Sequence, residues 1–149
     1  MIFYSQRDPR WAKKPLSPSR ETMGRIGCAT TAIAFQIARE LKRDVTPEEL
    51  RAFLVVNSGY TAPSKTDPTG GLLKWDRISV FTNGRLRYLG RGATPPAGKK
   101  YTLVEVIYGT MRHWLALMGG GQCCDPWTGS QQTVATGPWR LTGERRYFG

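Results

Sequence analysis

From residue 29 the apolar positions repeat at helical spacing. Ala29, Ile33, Ile37 and Leu41 fall four apart, Ala32 and Gln36 lie between them, and Arg39, Glu40 and Lys42 point away from that stripe. This period predicts an amphipathic helix with Cys28 in its first turn. A second helix is announced by Thr46-Pro47-Glu48-Glu49: a hydroxyl N-cap, proline at the first helical position and glutamate at the third, followed by the apolar Leu50, Phe53 and Leu54. Residues 57–71 are rich in Gly, Pro, Ser and Thr and predict a loop of a length that is often functional. A short helical turn over Leu72–Ile78 follows, with Leu72, Trp75 and Ile78 on one side. Past Asn83-Gly84 the period changes to that of strands. Leu86 and Tyr88 alternate with arginines, Tyr101–Tyr108 is β-branched and aromatic, and His113–Met118 is the next strand. Gly119-Gly120-Gly121 turns the chain and Gln122–Asp125 returns. Residues 1–27, broken by Pro9, Pro15, Pro18, Gly24 and Gly27, read as irregular. With no repeat and no linker, residues 1–149 read as a single α+β domain, its N-terminal helices packed on a C-terminal antiparallel sheet.

Charge and cysteine content narrow the picture. Twenty-two Lys and Arg against eleven Asp and Glu leave a formal net charge of +11. That balance favours anionic partners such as nucleic acid, cell-wall polymers or acidic membrane surfaces. The basic residues are scattered (Lys13-Lys14, Arg39, Lys42-Arg43, Lys99-Lys100, Arg145-Arg146), so they do not choose among these. No apolar run is long enough to span a membrane. Met1–Pro9 lacks the basic start and apolar stretch of a signal peptide, so the expectation is a soluble chain of cytoplasmic synthesis. Any virion or cell-wall destination then depends on a partner system or on a larger parent protein. Three cysteines make no disulfide framework, and the adjacent Cys123 and Cys124, as strand neighbours, point to opposite faces as small packing residues. A zinc site from Cys28, His113 and that pair lacks any CxxC or HxxxH spacing, so no metal or cofactor is called for.

His113 is the chain's one histidine, and it stands in His113-Trp114, ahead of Asp125-Pro126-Trp127. A hairpin turn centred on Gly119 places His113 directly opposite Asp125, and a turn centred one residue later shifts the pairing by two. Either way their Cα atoms lie roughly 4.5–8 Å apart, within reach of a carboxylate that fixes the imidazole tautomer. Cys28, preceded by Gly27, sits where unpaired backbone N–H groups and the helix dipole favour a thiolate. Thiol, imidazole and carboxylate are the parts of a cysteine nucleophile system. Taken singly, each also fits a plainer role: a packing cysteine, a hydrogen-bonded histidine, a turn-starting Asp-Pro.

Four blocks in order carry a family resemblance: Gln6-Arg7-Asp8-Pro9-Arg10-Trp11; Met23-Gly24-Arg25-Ile26-Gly27-Cys28-Ala29-Thr30-Thr31-Ala32; His113-Trp114; and Asp125-Pro126-Trp127. Together they resemble the C39-like cysteine peptidases of the papain-like fold, whose pattern runs Q-x-D-x-x-W, a G-C-x-x-T/S helix start, H-W/Y in a strand ending in glycine, and D-P. Ala29 stands where that family often has glycine, and residues 43–112 add little to the match. The resemblance implies a papain-like fold and a thiol-dependent peptidase or amidase. Cys28 would be the nucleophile, His113 the general base and then acid, and Asp125 the residue that orients it. Gln6 would donate its side-chain amide to the oxyanion together with the backbone N–H of Cys28. Asp8 and Trp11 would anchor the segment that carries Gln6. The ATP-binding and membrane domains of exporter members are missing, so leader removal coupled to export is not expected. The basic surface suits a phage-type peptidoglycan peptidase or a virion-associated one, acting on a peptide or peptidoglycan-peptide substrate. The competing expectation is a non-catalytic basic module on the same fold that binds nucleic acid or an acidic partner, with Trp75, Trp114, Trp127 and Trp139 as stacking platforms.

Overall fold

In the computed structural model, which describes all 149 residues, the four-residue period becomes α2 (Cys28–Leu41), preceded by the short turn α1 (Met23–Ile26) and followed by α3 (Pro47–Val56) and α4 (Arg77–Phe81). Ala32, Ile33 and Ile37 on the inner face of α2 are fully buried. Gln36, the polar residue within that stripe, is buried too, and its amide ties the helix to the sheet. Its Nε2 donates to Thr102 O at 3.2 Å and Leu117 O at 2.8 Å, while its Oε1 accepts from Arg39 at 2.8 Å. α3 begins as its sequence predicts: Thr46 Oγ1 accepts from Glu49 N at 3.0 Å and Leu50 and Leu54 fill the core. Each such fully buried aliphatic side chain contributes roughly 1.5–3 kcal/mol of transfer free energy.

The sheet contains β1 (Tyr88–Arg91), β2 (Tyr101–Tyr108), β3 (Met111–Gly119), β4 (Gln122–Asp125), β5 (Ser130–Thr133) and β6 (Arg140–Phe148), with a 3-10 turn at Val134–Thr136. All neighbours are antiparallel, in the order β1-β6-β2-β3-β4-β5. The fold is thus α+β. β6 lies between β1 and β2, and neither it nor β5 is foreseen by the sequence pattern. One face of the sheet joins the helices in the main core, through Leu103, Ala116, Cys124 and Phe148. The other holds a small core of Val104, Val106, Leu115 and Cys123 beneath Val134 and Trp139. Cys123 and Cys124 therefore do face opposite ways.

One expected element is corrected. Leu72–Ile78 is not a helical turn, because Leu72 and Leu73 are drawn into extended pairing with the preceding loop. Thr61 N donates to Leu72 O at 2.9 Å, Leu72 N to Thr61 Oγ1 at 3.0 Å, and Leu73 bridges Tyr60. Leu72 is accordingly exposed, and the helix begins only at Arg77.

The N-terminal segment is irregular but pinned. Trp11 is buried and its indole N–H donates to Ser5 O at 2.9 Å. Asp8 closes the turn, its main-chain oxygen accepting from Trp11 N and Ala12 N. The guanidinium of Arg10 holds the Asp8 carboxyl below the usual carboxylate range. Gln6 N donates to Pro126 O at 2.7 Å, which fastens this segment to the end of β4.

Candidate active site

The thiol is placed by a tight junction. α1 and α2 meet at Gly27, whose N–H donates to Met23 O at 2.8 Å. A Cβ there would stand 2.5 Å from that same oxygen, so glycine alone permits the junction. Cys28 becomes the first residue of α2, with 8% of its surface exposed. The first N–H groups of a helix lack partners within it, and the dipole there favours negative charge.

The hairpin of β3 and β4 brings the imidazole to its carboxylate. The observed register pairs Ala116 with Cys124 and Leu117 with Cys123, which is the later of the two anticipated turns. His113 is then a diagonal neighbour of Asp125 on one face. Both are fully buried, and the ring Nε2 bonds Asp125 Oδ1 at 2.7 Å. A carboxylate accepts, so Nε2 donates and the reactive lone pair belongs to Nδ1. Nδ1 is buried without a hydrogen bond of its own, and the Cys28 side chain is the other group besides Asp125 that acts on this ring. Burial works against the imidazolium. The bond to Asp125 and then the Cys28 sulfur outweigh it, and the His113 pKa is raised to about 9.

Asp125 is itself held. Its Oδ1 also accepts from Trp127 N at 2.9 Å, and its Oδ2 from Gln132 Nε2 at 3.3 Å and Thr128 Oγ1 at 3.4 Å. Two aromatic rings stand edge-on to the imidazole, Tyr108 at 6.0 Å and Trp127 at 6.5 Å between centroids. They restrict ring tilt and keep water from the ion pair. The N-terminal segment clamps Trp127 from outside. Arg7 lies 4.1 Å over its ring, and Ser5 and Arg7 both donate to its carbonyl.

Gln6 is 1% exposed and lines one cleft with Cys28 and His113. Its Nε2 donates to Gly24 O at 3.2 Å, which leaves a second amide hydrogen, and its Oε1 has no partner. The cleft has a volume of ≈ 430 Å³, bounded by the α1–α2 junction, by the loop at Thr69–Gly71, and by Arg112, His113 and Trp114 of β3. The loop is tied down as this wall: Ser19 Oγ donates to Thr69 O at 2.6 Å and Gly71 N to Thr61 O at 2.8 Å. A larger hollow of ≈ 580 Å³ around Met1, Arg39, Lys42 and Tyr101 contains neither thiol nor imidazole.

The structure thus brings all four sequence-predicted residues, Gln6, Cys28, His113 and Asp125, to one place. The supports Tyr108 at the end of β2, Thr128 in the β4–β5 turn and Gln132 in β5 escape sequence reasoning because none of them belongs to a motif. The remaining thiols are of a different kind. Burial pushes Cys123 up to about 11 and Cys124 to about 12, and both are fully enclosed. No three His, Cys, Asp or Glu side chains gather into a metal-holding group. The indoles suggested as stacking platforms are engaged in packing: Trp75 meets Trp114 edge-on at 5.7 Å, and Trp139 Nε1 donates to Val134 O at 3.0 Å. No helix is long and apolar enough to cross a membrane. Comparison with family models, with curated proteins and with solved structures finds no match to this chain.

Proposed function

We propose that this chain is a thiol-dependent peptidase or amidase of the C39-like, papain-like kind. One observation carries the reading: the single imidazole donates to a buried carboxylate through Nε2, its other nitrogen has no hydrogen-bond partner, and it lines one cleft with a cysteine at a helix start. In this mechanism the Cys28 thiolate attacks an amide carbonyl carbon, and an S–C bond forms as the carbonyl electrons move to oxygen. The Gln6 side-chain amide and the Cys28 backbone N–H stabilise that oxyanion. The imidazolium of His113 gives its proton to the departing amine, and the C–N bond breaks to leave a thioester. Water gives a proton to His113 as its oxygen bonds the acyl carbon; the S–C bond then breaks, releasing the acid and regenerating the thiolate–imidazolium pair. The positively charged surface favours a substrate displayed on a polyanion, such as a phage-type peptidoglycan stem peptide, with a virion-associated protein as the second candidate.

The test is thiol chemistry joined to cleavage. Iodoacetamide at pH 7 is expected to modify Cys28 at least about tenfold faster than Cys123 or Cys124, as peptide mapping reads, and to abolish release of new amino termini from peptidoglycan peptides or denatured proteins. Equal labelling of the three cysteines, or cleavage that survives alkylation of Cys28, refutes the assignment. Gln6→Ala is expected to lower kcat by about a hundredfold with little change in KM, measured on whichever peptide is cut.

A further inference from the structure

We infer that the cleft selects substrates with a carboxylate beside the scissile bond, through Arg25 and Arg112. This rests on the proposed peptidase reading. The two arginines come from different elements, each next in sequence to one member of the proposed reacting pair: Arg25 on α1, three residues before Cys28, and Arg112 on β3, immediately before His113. Both line the cleft.

Their ion pairs are lopsided. Arg25 bridges Glu21 at 3.0 Å with side-chain exposures of 76% and 21%. Arg112 bridges Glu105 at 2.7 Å with 69% and 10%. In each pair the carboxylate is recessed and the guanidinium projects, so an arriving ligand meets positive charge. Glu105 Oε1 is committed further, accepting from Thr142 Oγ1 at 2.8 Å. Arg146 adds a third guanidinium at the cleft, 5.0 Å over the Trp114 ring. Against these, Asp67 of the loop is the one lining carboxylate without a basic partner, and it folds back to take Thr69 Oγ1 at 3.3 Å. An arginine fork keeps donors free after one bridge, so each exposed guanidinium can take a second carboxylate.

A pair of alkylating reagents reads this charge without requiring turnover. Iodoacetate and iodoacetamide both form an S–C bond at the thiolate and expel iodide, but only the first is an anion. The rate ratio of iodoacetate to iodoacetamide at Cys28, relative to that of 2-mercaptoethanol, is expected to be raised at least about threefold and to decline with added salt. The His113 imidazolium raises this ratio by itself, so the variants decide. Arg25→Gln and Arg112→Gln should each lower it by about twofold or more, whereas Lys99→Gln, a distant exposed cation, should not. Arg25→Gln, on the more exposed arm, keeps the test valid if loss of the Arg112 bridge impairs folding. Peptides carrying Glu beside the scissile bond should exceed their Gln counterparts in kcat/KM by about fivefold, a margin both variants erode. A ratio indifferent to both substitutions, or Gln peptides cut as well as Glu peptides, overturns the selectivity and leaves the peptidase reading standing. Failure of Cys28 to react ahead of the other thiols overturns the peptidase reading itself.

Discussion

Cys28→Ala is expected to lower kcat by about four orders of magnitude or more while the protein remains folded. In the proposed mechanism no other thiol can accept the acyl chain once Cys28 is gone, because Cys123 and Cys124 are enclosed and held protonated by burial. The fold should tolerate the change. Cys28 makes no disulfide and keeps a little solvent exposure, so replacing its sulfur with hydrogen costs about 1 kcal/mol or less. Alanine retains good helical propensity at this position. The melting temperature should therefore shift by only a few degrees while turnover disappears. Activity that persists in Cys28→Ala, with unchanged circular dichroism, would remove Cys28 from the chemistry.

Asp125 has the second largest effect, and it reaches both stability and rate. Asp125→Ala strands a buried imidazole, so about 3–5 kcal/mol of destabilisation is expected by chemical denaturation. A kcat loss of at least about a hundredfold should accompany it. Asp125→Asn keeps the shape and one acceptor but removes the charge. Burial then meets less opposition, and the His113 pKa should fall by more than about one unit. The protein holds a single histidine, so one imidazole C–H resonance in an NMR titration reads this directly. The direction of the linkage is set by a native pKa, about 9, that lies above the reference value of 6.5. The stability tied to this shift, on the order of 3 kcal/mol and shared by Asp125 and Cys28 against the cost of burial, is fully present below pH 6.5 and is lost as pH rises through 9. Wild-type stability should fall over that window and Asp125→Asn should show a shallower decline. Equal slopes, or an imidazole that titrates near 6.5 in the wild type, would contradict the ion pair.

The parts of the molecule that were legible in the sequence are those whose signals are local. The stripe from Ala29 to Leu41 and the Thr46-Pro47 cap specify their helices with neighbouring residues only. Gly119-Gly120-Gly121 announced a hairpin, and the parity of its strands was enough to set His113 near Asp125 before the register was known. Leu72 misled because apolar residues spaced three apart, Leu72, Trp75 and Ile78, look helical, whereas its backbone bonds go to Thr61, outside the window that periodicity reads. β6 escaped for the opposite reason. Arg140, Glu144, Arg145 and Arg146 interrupt any apolar alternation, Gly143 weakens the strand, and an irregularity opposite Val104–Val106 breaks its phase. Its strand character is conferred by β1 and β2 on either side. The projecting guanidiniums of Arg25 and Arg112 were invisible for a related reason: only packing decides which partner of an ion pair is recessed.

The central seat of β6 has a consequence for how this protein comes to be. The strand that holds β1 and β2 together is drawn from the far end of the chain, so a ribosome must release residues 140–148 before the sheet can close. Until then two lengths of β-structure have bare hydrogen-bonding edges, the state in which chains find one another and clump. Contacts so distant along the polypeptide form slowly. A molecule clipped before Arg140 should therefore leave the facing edges of β1 and β2 bare and self-associate.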